Sequence, residues 1–340
     1  MNRHLNRPRR PSRRHMQMSR RQFLHFAAPV VALPAFSRIA SAQGYPVRPV
    51  RILVGSTAGG GTDIMARLMG QWLSERLGQP FIVEDRSGAG SNIATEIVVR
   101  APPDGRTLLL VTAANAINAT LYEKLNFDFI HDIAPVAGLM RAPLVMVVNP
   151  SLPVTTVPEF IAYVKANPGK ISMATGVNGG APHVAGELFK LLTGISMVQV
   201  PYRGLALALA DLLSGHVQVL FSGIPAAIEF IRTGKLRALA VTTATRSETL
   251  PNIPTVADFV PDFEASQWYG VGAPRNTPAE IIETLNKEIN AGLADPKLKA
   301  QLADLGGTLL VSTPADFGKL IAAETEKWGK VVKFSGAKAD

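Results

Sequence analysis

From Tyr45 onward, short continuous apolar runs alternate with segments whose apolar residues recur every three to four positions. Val50–Val54 is a β-rich run, and in Asp63–Leu77 the residues Ile64, Leu68 and Trp72, with Met65, Met69 and Leu77, fall at helical spacing. Gly78 and Pro80 stop that helix. Phe81–Val83 reads as a strand, Ser91 or Asn92 as the cap of a helix through Arg100, and Leu108–Val111 as a third strand. This β-α-β-α-β order predicts a parallel sheet with right-handed crossovers.

The rhythm restarts at Leu144–Val148. Thr156 caps a predicted helix over Val157–Ala166, and Ile171–Ala174, Met197–Val200, Val217–Phe221 and Leu236–Val241 read as strands. Helices are predicted between them at Pro182–Leu192, Leu205–Leu213 and Pro225–Arg232. Gln267–Ala273 is a last extended run, followed by helices at Pro278–Leu293, Pro296–Leu305 and Pro314–Phe334. No low-complexity linker separates the two units. They are therefore expected to be joined by crossing strands, with the C-terminal helices packing back on the first.

Charge refines the picture. The net charge of +9 belongs to the N-terminus: residues 1–42 hold nine Arg and no Lys, Asp or Glu. Of 35 basic residues, 26 are left for the remainder, equal to its 26 acidic ones, so nothing argues for nucleic acid. An Arg-rich stretch, the apolar run Phe23–Phe36 and Ala40-Ser41-Ala42 together have the order of an export signal. Ser19-Arg20-Arg21-Gln22-Phe23-Leu24 fits the twin-arginine type, with cleavage near 42/43. The run is too short to span a bilayer as an ordinary helix, so no stable membrane insertion of the mature chain is expected. There is no cysteine, hence no disulfide, thiol catalysis or lipid-anchored cysteine.

The candidate chemistry lies in strand-to-helix loops. Ser56, Gly59, Gly60, Gly61, Thr62 and Asp63 join the first strand to the first helix, where backbone N–H groups favour an anion. A dinucleotide fingerprint would need Gly at 64, which is Ile64, and there is no Walker-type lysine. Thr112 and Asn115 follow the third strand. Thr175, Gly176, Asn178, Gly179 and His183 occupy the corresponding loop of the second unit. His183 precedes Glu187 by one turn, but two such residues without further clustering do not make a metal site. Tyr202 and Arg203 end the next strand, and Arg203 could pair with a carboxylate. Ser222 ends the one after, outside any G-x-S-x-G frame. Trp268-Tyr269 is expected to pack a hinge rather than touch ligand. These loops are rich in donors and poor in paired carboxylates, Cys and His, which suits holding a polar molecule rather than transforming it. No catalytic residue, metal or cofactor is expected. A twin-arginine-exported, cofactor-containing enzyme is the alternative.

The order of Gly59-Gly60-Gly61-Thr62-Asp63, Gly88-Ala89-Gly90-Ser91-Asn92-Ile93, Pro103-Asp104-Gly105, Gly186-Glu187-Leu188-Phe189, Val200-Pro201-Tyr202-Arg203-Gly204, Gly234–Val241, Trp268-Tyr269-Gly270 and Lys327–Val331 resembles the substrate receptors of tripartite tricarboxylate transporters, the Bug-type periplasmic receptors. The resemblance covers nearly all of 45–340. It implies an α/β type II periplasmic-binding-protein fold, with two lobes (43–143 plus 271–340, and 144–270) joined by hinge strands around a ligand cleft. It also implies a small carboxylate ligand (a dicarboxylate, an amino acid or an aromatic acid) and, as partner, a tripartite membrane transporter or a sensor kinase. Ser56 stands where the family often has an aromatic residue, and Ser222 where it often has Asp, so ligand identity does not carry over.

Overall fold

The structure, a computed structural model, describes residues 44–59, 61–175, 179–202 and 204–339. β1 (Val50–Val54) leads into α1 (Gly61–Leu77), β2 (Phe81–Asp85), α2 (Asn92–Val99), β3 (Thr107–Thr112), α3 (Ala113–Leu121) and the one-turn α4 (Phe129–Asp132). Then come β4 (Ile133–Val148), α5 (Val157–Ala166), β5 (Ser172–Thr175), α6 (Ala181–Thr193), β6 (Val198–Pro201), α7 (Leu205–Ser214), β7 (Val219–Gly223), α8 (Ile224–Arg232) and β8 (Arg237–Val241). β9 (Ser266–Pro274), α9 (Ala279–Ala294), α10 (Pro296–Ala303), β10 (Thr308–Leu309) and α11 (Pro314–Ser335) complete the described chain.

The strands form a sheet in the order β2-β1-β3-β9-β4-β7-β5-β6, with β10 and β8 also pairing to β4. β1 runs parallel to β2 and β3, and β5 runs parallel to β6 and β7. The predicted crossovers are therefore present. β9 lies antiparallel between β3 and β4. β4 is the strand that joins the two parallel sets. Through Pro143 it pairs with β9, and from Leu144 it pairs with β7 and β8.

The sixteen residues of β4 correct the sequence reading, which placed a strand only at Leu144–Val148. Pro135, Gly138 and Pro143 weaken the strand signal of the first half. Register shifts at Pro135/Ala137 and Gly138/Met140 absorb the break in the ladder. α3, α4 and β10 were not anticipated either.

Alternation along the strands sorts the core. Leu109 and Val111 of β3, Met146 of β4 and Phe221 of β7 face one apolar layer that runs across the whole sheet. Leu108 and Leu110 face a second layer with Met65, Met69, Leu285 and Ile289, while Val145 and Leu220 face a third with Leu209 and Leu212. In the shared layer Phe189 lies 6.2, 5.9 and 6.0 Å, centroid to centroid, from Phe160, Phe221 and Phe263.

α9 packs on α1 and β4, and α10 on α9, as expected for the tail. α11 reaches further, packing on α3, β4 and also α6. It can do so because Gly270 of β9 lacks a side chain: a Cβ there would stand 2.0 Å from Phe317 Cζ. Farther along α11, Glu324 is 4 % exposed. Its Oε2 accepts from the indole N–H groups of Trp268 (3.1 Å) and Trp328 (2.7 Å), and its Oε1 accepts from Lys327 (2.7 Å). Lys327 also donates to Glu264 Oε2 at 2.9 Å, and Arg141 and Ser266 donate to Glu264 Oε1 at 3.1 and 2.8 Å. A charged network thus joins α11 to the strands where the sheet changes partners.

Replacing Glu324 with Leu strands two buried indole N–H groups and leaves Lys327 with Glu264 as its one carboxylate partner, so unfolding free energy should fall by about 3–5 kcal/mol. Glu324→Gln should cost less. A carbonyl in place of Oε2 keeps both indole bonds, and Lys327 loses one of its two carboxylate partners but keeps Glu264. Urea denaturation of the two variants checks the order.

Burial pushes the Glu264 carboxyl up, but Lys327 and Arg141 outweigh it and hold the group below its ordinary value. A depressed carboxylate contributes stability above its unfolded value, about 4.3, and loses it as pH falls through the folded value. The stability difference between the wild type and Glu264→Gln should therefore be full at neutral pH and shrink below about pH 4.3. Denaturation curves across that range would show it.

Candidate functional site

The first and third candidate loops sit at the carboxyl ends of parallel strands, β1 and β5, and each leads into a helix. After β1, the Gly59 N–H donates to Asp63 Oδ2 at 2.8 Å, which folds the loop onto the first turn of α1. Arg67 Nε lies 2.8 Å from Asp63 Oδ1, and Arg67 Nη2 lies 3.1 Å from Asp85 Oδ2. Burial pushes the Asp63 carboxyl up, but the Gly59 bond and Arg67 outweigh it and lower it. Asp85 is raised by burial and then by the Asp63 charge. Asp63 is thus a brace for the loop, not a group aimed outward. Thr62 is hydrogen-bonded to Tyr269, which partly counters the upward push of burial on that phenol. Trp268 faces the opposite side of β9, toward Glu324. Only one of this aromatic pair therefore serves the crossing network, and the other reaches the first loop.

The β2–α2 loop was read from sequence only as a cap, and the structure gives it a larger part. Gly88, Ala89, Gly90 and Ser91 all have positive φ, a run that only glycine adopts without cost. Neither Ser91 nor Asn92 caps α2 through its side chain. Ser91 Oγ instead donates to the Gly55 carbonyl at 3.2 Å, tying the two loops together. Asn118 Nδ2 donates to the Gly90 carbonyl (2.6 Å) and to Asn92 Oδ1 (3.0 Å). The Gly-x-Gly-Ser-Asn spacing between a strand and a helix was the available signal.

Several predicted residues turn out to be engaged within the fold. Thr112 and Asn115 form a capping box on α3, and Asn115 Nδ2 donates to Thr95 Oγ1 at 2.9 Å. The Tyr202 hydroxyl donates to Asp211 Oδ2 at 2.6 Å. Burial and then that bond push its pKa up to about 12. His183 is fully buried and Nδ1 accepts from the Gly179 N–H at 2.9 Å. Glu187 is held by Lys190, with both oxygens at 2.9 Å, so the two do not form an open metal pair. Among the described residues no group of three or more His, Cys, Asp or Glu could hold a metal. Ser222 is buried and donates weakly to the Gly223 carbonyl at 3.1 Å. Gly61 opens α1. Gly60, Gly176, Asn178 and Arg203 lie outside the described residues, as does the predicted leader.

Several polar atoms at these loops are buried with no hydrogen-bond partner, among them Ser56 Oγ after β1, Asp85 Oδ1 at the end of β2, Asn92 Nδ2 after it, and Thr175 Oγ1 at the end of β5. Burying such a group unpaired is unfavourable. The loops that carry them are linked. The first touches the second through Ser91, the second touches α3 through Asn118, and Leu121 at the end of α3 meets Gly179, where a Cβ would stand 2.1 Å from Leu121 Cδ2. The arrangement offers donors and hydroxyls to a small polar molecule and, among the described residues, has no nucleophile–base pair.

Known proteins share this architecture. The sequence profile described as the tripartite tricarboxylate transporter family receptor matches residues 65–336. Protein BugT of Bordetella pertussis is 37 % identical over 311 residues, which cover 91 % of this chain and 95 % of BugT. Among solved structures, the R. palustris protein Rpa4515 with adipate is 37 % identical, with a TM-score of 0.75 over 86 % of this chain and 99 % of that one. MatC from Rhodopseudomonas palustris with bound malate is 30 % identical, with a TM-score of 0.72 over 85 % of this chain and 100 % of that one. The family is one of receptors, which agrees with the expectation that the chain is not an enzyme. With the α/β periplasmic-binding-protein fold and the profile match together, this chain belongs to the tripartite tricarboxylate transporter receptor family.

Proposed function

We propose that this chain is a periplasmic receptor that captures a small carboxylate in a cleft between two lobes, 43–143 plus 271–340 and 144–270, and delivers it to a tripartite membrane transporter. The observation that carries this reading is the pair of buried, unpartnered hydroxyls, Ser56 Oγ and Thr175 Oγ1. One lies on the β1 loop and the other at the end of β5, on opposite sides of the partner change in β4. A ligand held by both couples the two sides, and bending of β4 and β9 lets them close on it. The carboxylates printed for two relatives, adipate and malate, support the ligand class. The first turn of α1, from Gly61, supplies backbone donors where an anion is favoured. Tyr202 and Asp63 hold their own loops in place.

A thermal-shift panel of carboxylates on the mature protein tests the ligand class, since a bound ligand raises the melting temperature by mass action. A panel with no stabilising carboxylate would overturn it. Ser56→Ala and Thr175→Val should each weaken the best ligand about ten- to a hundredfold, the worth of a hydrogen bond to a charged group. Without ligand, neither change should lower stability, because each removes a buried hydroxyl that has no partner. Titration calorimetry beside ligand-free melts separates a ligand contact from a structural one.

The reading includes export by the twin-arginine pathway. Arg20→Lys with Arg21→Lys should abolish periplasmic accumulation, and the intact mass of the exported wild type should place its N-terminus near Gln43. Cell fractionation and mass spectrometry check both.

A further inference from the structure

We propose that Glu264 latches the hinge: its carboxylate is carried by one lobe and both of its cationic partners by the other, and this tie sets the angle at which the two lobes rest. The proposal rests on the two-lobe reading above and names what governs the opening of that cleft. Glu264 lies in the 144–270 segment. The next residue, Ala265, donates its N–H to the Thr242 carbonyl at 2.9 Å, and the Leu144 N–H donates to Thr242 Oγ1 at 2.8 Å. Glu264 is therefore held to the strands of that side. Its partners stand on the other. Arg141 is on β4 ahead of the partner change, and Lys327 is on α11, which packs along α3. Lys327 holds Glu264 at two points, the carboxylate at 2.9 Å and the backbone carbonyl at 3.2 Å, and its ammonium lies 4.4 Å from the centre of the Trp328 ring. Ser266, which donates to the same carboxylate, sits opposite Pro143, the last residue of β4 to pair with β9. The tie thus crosses the chain at the place where it must bend.

The side chains of Glu264, Arg141 and Lys327 are 22, 27 and 25 % exposed, so solvent and salt screen their pairing far less than that of Lys330 and Glu326 beside them on α11, each 71 % exposed. Other contacts that span the two sides are of a different kind. α11 also packs on α6, and the apolar layer that includes both helices runs across the whole sheet. Apolar contact is non-directional and tolerates small sliding of packed elements. Hydrogen bonds weaken steeply when bent. The directional groups around Glu264 therefore fix an angle that the apolar layer alone leaves free.

The chain has no cysteine of its own, so Lys165→Cys on α5 and Glu283→Cys on α9, both exposed, place one spin label on each side of the hinge. Pulsed electron paramagnetic resonance then reads the distance between the labels in the mature protein with no ligand added. Glu264→Gln and Lys327→Met should each widen the distance distribution by at least half or shift its mean. The two together should do no more than either alone, because both remove the same tie. Glu326→Gln, which breaks only the exposed pair with Lys330, should leave the distribution as it was. Melting curves show that each variant is folded at the temperature of measurement. An unchanged distribution in either Glu264→Gln or Lys327→Met, or an equal change in Glu326→Gln, overturns the proposal. The distances are independent of the carboxylate panel. A panel with no stabilising acid removes the receptor reading whatever the labels report, and an unmoved distance removes the latch whatever the panel reports.

Discussion

Glu324 is the group on which the architecture turns. A single carboxylate oxygen accepts from two indoles, one on β9 and one on α11 itself, and the other oxygen meets Lys327. Because the carboxylate is buried, it must keep all of these partners. That requirement fixes where α11 sits relative to β9, and Gly270 permits the approach. Lys327 carries the constraint on to Glu264 and Arg141, next to the point where β4 exchanges its partners. The last helix is therefore anchored on the crossing strands, and from there it covers α3 on one side and α6 on the other.

The candidate site depends on this frame in a simple way. The loops that form it are held by their own side chains: Asp63 on Gly59, Ser91 on Gly55, Asn118 on Gly90, His183 on Gly179. Each of these bonds links a side chain to a backbone group of a glycine, the residue type whose flexible backbone gains most from being tied. A preformed set of donors loses less freedom on binding than a loose one, so the glycines can offer close approach without a large ordering cost.

How much of this was legible from sequence depends on the element. The parallel units were, because β3 and the flanking strands are uninterrupted apolar runs and α1 carries a clear helical period. The first half of β4 was not: its two prolines and glycine read as a break, and only pairing with β9 makes it a strand. α3 was hidden because Ala113–Leu121 is built from Ala and Asn with little apolar contrast, and its capping box looks like ligand chemistry until the partners are seen. The positions of the candidate loops were readable, but the direction of each side chain was not. Tyr202 and Asp211 are nine residues apart, and nothing local says that the phenol turns back to its own helix. Ser56 Oγ and Thr175 Oγ1 are the complementary case, buried hydroxyls that no neighbour reaches.

The place of β9 in the sheet has a consequence for how the chain is made. Leu109 of β3 pairs with Gly272, and Ala134 of β4 pairs with Ala273, so the gap between two early strands is filled only by a late one. Until that segment has left the ribosome, β3 lacks its antiparallel neighbour, and until Glu324 follows, Trp268 lacks the carboxylate that satisfies it. Contacts this distant in sequence make folding slow. A growing chain of this order stays incomplete through most of its synthesis, and its central sheet closes only once β9 is available.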